Sequence, residues 1–165
     1  MGMSEAILGE LKHEAATTRK MLERAPEDKF DWKPHEKSMT LGRLAGHVAE
    51  LPGMVSAVLM QDELDFATRA YAPFVPKTTS ELLDTLDTKV AQALELLADQ
   101  SDDNLKKSWC LRSGDKIFFE LPRAAVLRSM ALNHMIHHRG QLSVYLRLLN
   151  VPLPSVYGPT ADEPM

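Results

Sequence analysis

Hydrophobic positions recur at helical spacing in the first third of the chain. Apolar side chains three and four residues apart predict a first helix over residues 7–22. The same spacing predicts a second helix over residues 44–58, with either Ser38 or Thr40 as its N-cap. Pro52 lies inside this second pattern, where a proline removes one backbone hydrogen bond. We therefore expect the second helix to be kinked.

Two further helices are predicted in the second half of the chain. Thr78 and Glu81 form a capping-box pattern, and apolar residues follow at helical spacing over residues 82–97. Residues 106–120 contain a Ser-Gly-Asp turn between apolar flanks, which favours a short hairpin. The last helix is predicted over residues 122–150, with a proline in its first turn and prolines after its end.

Four amphipathic segments with shorter connections and no internal repeat favour an all-α fold. The predicted architecture is an antiparallel four-helix bundle, with the short hairpin before the last helix. A length of 165 residues suits one domain, residues 1–165. Sites in such bundles are built from inward side chains on facing helices.

Composition excludes several classes of function. Hydrophobic residues make up 44% of the chain and charged residues 25%, which predicts an ordinary globular core. The net charge of -4 argues against nucleic-acid binding. No apolar run is long enough for a membrane span, and a single cysteine, Cys110, permits no intrachain disulfide. We therefore expect a cytoplasmic protein without a membrane partner.

Three of the six histidines are predicted to face one interior. On a helical projection His134 and His138 lie roughly 20° on either side of the centre of the apolar stripe of the last helix. His137 is displaced by roughly 80° and lies at the edge of this stripe. His47 lies within the inward stripe of the second helix. The pattern thus brings three imidazoles together.

Buried imidazoles need partners for their ring nitrogens, and a shared divalent ion would supply them. Three neutral nitrogens leave a coordination position open, as in catalytic sites. Imidazole suits zinc, nickel and copper alike. The alternative is that these are core histidines bonded to one another without an ion.

Other metal and cofactor sites fit the sequence poorly. A zincin motif needs glutamate directly after its first histidine, but Met135 follows His134. A di-iron bundle needs two Glu-x-x-His motifs, and the only match, Glu10 with His13, lies off the apolar stripe. Phosphate-binding and dinucleotide-binding glycine motifs are absent from the sequence.

The sequence HMIHHRGQL at residues 134–142 closely resembles the signature of the DinB-like family, which comprises damage-inducible metalloproteins. LAGHVAE at residues 44–50 resembles the family's other signature, and residues 151–159 are also similar to it. The resemblance implies a four-helix bundle, often dimeric, with a divalent ion held by three histidines. Matched by position, these ligands are His47, His134 and His138.

The resemblance also limits the expected function. Some family members resemble transferases that use a low-molecular-weight thiol, and a related group are thiol-dependent isomerases. We expect a metal-dependent enzyme with Zn²⁺ or Ni²⁺, acting on a small molecule as a hydrolase or a thiol transferase. The alternatives are a non-catalytic metal-binding stress-response protein and a dimeric interaction module.

Three polar residues near the histidines have two interpretations each. Gln141 would orient a ligand imidazole or a metal-bound water, or else bond a backbone carbonyl. Glu50 would act beside the ion as acceptor or base, or else be a solvated or salt-bridged surface glutamate. His137 would be a surface residue or a proton shuttle.

A second apolar face on the last helix predicts a covering element. Leu132, Ile136 and Leu146 lie away from the core stripe. Either the hairpin or a second copy of the chain would cover them, and we expect a homodimer.

Overall fold

The structure, a computed structural model, describes residues 2–68 and 71–164. Its elements, in chain order, are α1 Met3–Leu22, α2 Leu41–Glu50, α3 Met54–Met60, β1 Glu63–Asp65, α4 Thr79–Ala98, α5 Asp102–Lys106, β2 Ser108–Ser113, β3 Lys116–Pro122, α6 Arg123–Val126, a π-helical segment Leu127–Asn133, and α7 His134–Leu148. Helices α1, α2, α4 and α7 pack against one another around a common core. Within the described ranges, no helix combines the length and apolar character that crossing a bilayer requires.

The starts and breaks of the helices follow the sequence signals. The Thr40 side chain accepts a hydrogen bond from the Arg43 backbone N–H, so Thr40 is the N-cap of α2. The turn Leu51–Gly53, which contains Pro52, separates α2 from α3 as a 3-10 turn. The Thr78 hydroxyl accepts from the Glu81 N–H at the start of α4. These predictions are confirmed.

The fold also contains a three-stranded mixed sheet in the order β1-β2-β3. β2 and β3 pair antiparallel as the predicted hairpin, with Gly114 at φ +58° in the turn. A positive φ of this kind favours glycine because it has no Cβ. β1 pairs in parallel with β2, so that Leu64 lies opposite Leu111. The strand β1 is absent from the elements predicted above.

The prediction of an all-α four-helix bundle is wrong, because this sheet is part of the body of the protein. Trp109 is fully buried and Leu111 is 7% exposed, and both belong to the hydrophobic core. The prediction includes the hairpin but no third strand and no sheet within the core. The partner strand β1 is three residues long and distant in sequence, and so short a run gives no alternating pattern.

Two of the three residues of the second apolar face are covered within the chain. Leu132 and Leu146 are buried, at 1% and 0% exposure. They belong to the same core as the remaining helices. Leu132 and Leu146 therefore need no second copy to cover them, whereas Ile136 is half-buried and outside this core, and the homodimer stays a prediction.

Candidate metal centre

The three predicted histidines come together between two helices. His47 lies on α2, while His134 and His138 lie one turn apart at the start of α7. One ring nitrogen from each can be chosen so that all lie within 4.8 Å of one another. All three side chains are half-buried. They form the one group of this kind among the described residues, and we call it the histidine cluster.

A wide turn precedes the cluster. The segment Leu127–Asn133 is π-helical and leads directly into His134. Such segments are rare and frequently lie at functional sites. The sequence LRSMALN contains neither glycine nor proline, so nothing in its pattern signalled this turn.

Gln141 fixes the orientation of one ring. The Gln141 Oε1 lies 2.7 Å from Nδ1 of His138 and, as a carbonyl oxygen, accepts the Nδ1 proton. This bond leaves the His138 Nε2 lone pair available to another partner. Of the two interpretations of Gln141, the contact with a candidate ligand is therefore the one observed. Gln141 is exposed rather than central to the buried stripe, so this side of the cluster faces solvent.

Burial keeps the cluster neutral at physiological pH. Desolvation, with smaller contributions from His138, His134 and Arg43, lowers the pKa of His47 to about 4. Desolvation is also the largest cause that lowers the pKa of His134 and of His138. Because metals bind the neutral ring, these three side chains are in the protonation state that a metal requires.

One nitrogen pair of the cluster has a spacing that fits a shared cation as well as a direct hydrogen bond between the two rings. Nε2 of His47 lies 3.4 Å from Nε2 of His134. Two ligands about 2.1 Å from a tetrahedral ion would lie about 3.4 Å apart. In both rings the other nitrogen, Nδ1, is buried without a hydrogen-bond partner among the described residues. The backbone carbonyl of Met130 lies near Nδ1 of His134. Three neutral imidazoles are a donor set suited to Zn²⁺ or Ni²⁺.

Glu50 holds a loop rather than a histidine. Its Oε1 accepts from the Phe74 backbone N–H at 3.3 Å, and its Oε2 accepts from the Tyr71 hydroxyl at 3.2 Å. Desolvation, followed by the Glu50 charge, raises the pKa of Tyr71, which keeps this hydroxyl a donor at neutral pH. Glu50 also lies 3.8 Å from Nη1 of Arg43 as an ion pair, which agrees with the interpretation of a salt-bridged glutamate, and in addition it anchors residues 71–76 on α2.

Gly46 allows this loop to approach α2 closely. A Cβ at Gly46 would lie 2.7 Å from the Phe74 carbonyl oxygen and 2.9 Å from Cδ of Pro76. Both distances are shorter than van der Waals contact, so a residue other than glycine at position 46 would require the loop to move. Three residues within five positions of α2 thereby have separate roles, since Gly46 admits the loop, His47 joins the cluster and Glu50 binds the loop.

A cavity of about 620 Å³ opens beside the cluster. Its lining includes His47 and His134 but not His138. Arg43, Glu50, Tyr71 and Lys89 supply the remaining charged or hydroxyl-bearing side chains of the lining, and the rest is largely apolar. This volume lies within the range of small-molecule sites.

His137 stays outside the cluster, as predicted. Its side chain is exposed, and it is not a member of the converging group. Its ring centroid lies 4.8 Å from that of His138. This neighbour makes His137→Ala a close control for changes at His138.

Comparison with known proteins finds a family model that matches nearly the whole chain. A family model described as the DinB family matches residues 1–164. The Bacillus subtilis protein YrdA is 25% identical over 150 residues, covering 91% of this chain and 85% of YrdA. YjoA from the same organism is 24% identical over 150 residues, covering 89% of this chain and 91% of YjoA.

Solved structures share the fold. The crystal structure of a DinB-like protein from Bacillus cereus superposes with a TM-score of 0.72 at 26% identity, covering 93% of this chain and 97% of that one. The structure of YjoA superposes with a TM-score of 0.68 at 19% identity, covering 97% and 99% of the two chains. The second likeness shows the fold alone.

Proposed function

The chain belongs to the DinB family, and from this premise we propose that it is a metal-dependent enzyme whose histidine cluster holds one Zn²⁺ or Ni²⁺ ion. The reaction we propose is hydrolysis of, or thiol transfer to, a small molecule. The observation that carries the proposal is the convergence of three neutral imidazoles beside an open cavity.

The open cavity favours chemistry over a purely structural ion. Structural zinc sites are closed by four protein ligands, whereas catalytic sites have three and an open position. Among the described residues, the converging group contains three ligands and no cysteine or carboxylate. A bound divalent ion would act as a Lewis acid that makes a water or thiol nucleophilic near neutral pH.

The chain's own residues would orient the site. Gln141 holds the His138 ring through Nδ1, and burial keeps all three rings unprotonated. In thiol transfer a carbon–sulfur bond forms while the bond from carbon to its leaving group breaks, and the thiol proton passes to solvent. In hydrolysis, water takes the place of the thiol.

The first test is the metal content of tag-free protein after loading with Zn²⁺ or Ni²⁺ and removal of free ion. We expect about one ion per chain in the wild type and in His137→Ala, and less than about 0.1 in His47→Ala and His138→Ala. Elemental analysis by mass spectrometry gives these values. An ion content below about 0.1 in the wild type would exclude the metal hypothesis, and equal loss in His137→Ala would refute the assignment of His138.

The second test is activity. Loaded and metal-free protein would be incubated with cysteine or coenzyme A and monobromobimane, and separately with p-nitrophenyl esters. We expect a rate above the uncatalysed background only in the loaded protein, and a return to background in His138→Ala. A loaded protein without turnover on either panel would favour the non-catalytic metal-binding alternative.

A further inference from the structure

We propose that the cavity beside the histidine cluster binds a small organic carboxylate, with the carboxylate on Arg43 and an apolar body against the cavity wall. The inference rests on the proposed function, because the same cavity would receive that enzyme's substrate. It names the chemical class of that substrate.

Arg43 has donor capacity that the protein does not use. Its Nη2 donates to the Tyr71 hydroxyl at 2.9 Å. Its Nη1 is buried without a hydrogen-bond partner among the described residues. A guanidinium has five N–H donors in a planar fork that matches a carboxylate. The Arg43 side chain as a whole is 21% exposed and lines the cavity, so the donors of its fork that reach the cavity surface would pair with an anionic ligand there.

Glu50 does not already fill this role. The shortest Arg43 to Glu50 ion-pair distance is 3.8 Å, from Nη1 to Oε2, which is beyond hydrogen-bond length. Both Glu50 oxygens accept from the loop instead, through the Tyr71 hydroxyl and the Phe74 N–H. The side chain is thus committed to the loop, and Arg43 remains available.

The charges of the lining also favour an anion. Arg43 and Lys89 are cationic, and Glu50 is the one carboxylate among the lining residues. The cavity therefore carries an excess of positive charge before any ion binds. Clefts lined by one sign of charge concentrate ligands of the opposite sign.

The walls call for more than an inorganic anion. Leu51, Met54, Leu64, Phe66 and Leu111 all line the cavity. An inorganic anion would leave this apolar surface uncovered, whereas an aliphatic or aromatic body would bury it. The combination of one cationic fork and apolar walls is suited to a monocarboxylate with a hydrophobic chain or ring.

The test compares 4-phenylbutyrate with its primary amide, 4-phenylbutyramide, by titration calorimetry. Both metal-free and zinc-loaded protein would be used. We expect the carboxylate to bind about tenfold more tightly than the amide in both forms, and Arg43→Met to remove this preference. Arg43→Lys should retain part of it because it keeps the charge without the fork. Glu50→Gln should bind the carboxylate more tightly, since a repulsive charge is removed.

Arg128→Met is the matched control, because Arg128 is an arginine outside the cavity lining that pairs with Glu10. It should bind like the wild type. Circular dichroism checks that Arg43→Met is folded, and Arg43→Lys keeps the test informative if it is not.

The outcomes separate this inference from the proposed function. Equal binding of acid and amide, absence of carboxylate binding, or an unchanged preference in Arg43→Met would overturn the carboxylate site. Binding that needs zinc and ignores Arg43 would also overturn it, while leaving the metal proposal intact. Arg43-dependent binding in a protein that takes up no zinc would support the carboxylate site and refute the proposed function.

Discussion

At the residue scale, the arginine of the His-Arg-Gly-Gln sequence serves the fold rather than the cluster. Arg139 is 2% exposed, and its Nη1 forms an ion pair with Oε2 of Glu14 at 2.8 Å. The angles of this contact do not meet the geometry of a hydrogen bond. Its Nη2 donates to the Tyr157 hydroxyl, which donates to Oε1 of Glu14. The three side chains join α7, α1 and the C-terminal segment. A signature residue beside a candidate ligand is therefore a structural residue.

Removal of one partner from this buried pair should be costly. We expect Arg139→Met to lower the free energy of unfolding by about 3–5 kcal/mol, because Glu14 would remain buried without its cation. The measurement is urea unfolding followed by circular dichroism.

Arg128→Met is the control for an exposed pair. Arg128 and Glu10 have side chains 52% and 29% exposed. We expect a loss below about 1 kcal/mol, since solvent screens such pairs. Similar losses in the two variants would show that Arg139 is not a buried anchor.

At the element scale, the loop over α2 depends on one small residue. Residues 71–76 contact α2 where Gly46 leaves room for the Phe74 carbonyl and Pro76. The loop carries Tyr71, which contacts both Arg43 and Glu50. The position of the loop thus determines which polar groups line the cavity.

A methyl group at Gly46 should displace this loop. We expect Gly46→Ala to lower the free energy of unfolding by about 1–3 kcal/mol, because its Cβ would overlap backbone atoms. Gly140→Ala is the matched control on α7, where an added Cβ has nothing within 4 Å. It should raise stability by up to about 1 kcal/mol through helix propensity. Thermal or urea unfolding measures both, and a destabilised Gly140→Ala with an unchanged Gly46→Ala would contradict this account.

The elements differ in how far the sequence predicts them. The helices and their caps were predictable because apolar spacing and capping side chains are local signals, as at Thr40 and Thr78. The convergence of His134 with His138 was predictable for the same reason, since one helical turn separates them. β1 and the segment Leu127–Asn133 were not, because their geometry depends on contacts with distant parts of the chain. Neither the sequence around Leu64 nor that around Leu111 indicates that these two residues pair in a parallel sheet.

At the scale of the whole molecule, folding brings together ionisable rings that are far apart in sequence. His47 meets His134 and His138 only when α2 packs against α7. Burial lowers the pKa of each ring in the folded protein, whereas in the unfolded chain each ring has its ordinary pKa near 6.5. Folding of the metal-free protein is therefore linked to pH.

Stability of the metal-free protein should fall as the solution is acidified. Between about pH 6.5 and about pH 4 the unfolded state binds more protons at His47 than the folded state does, so the free energy of unfolding decreases as the pH falls. Urea unfolding at pH 7.5 and pH 5 measures the change. His47→Gln should show a smaller decrease than the wild type, because it lacks one of the shifted groups. An equal decrease in the two proteins would refute a contribution from this ring.

The cluster also has two faces with different surroundings. His47 and His134 border the cavity, whereas His138 lies on the side where Gln141 meets solvent. An ion held by the three histidines could therefore exchange with solvent on the His138 side while a ligand fills the cavity. Chelator-driven release of a bound ion should then be insensitive to saturation of the cavity with a ligand, because the ion and the ligand would use different openings.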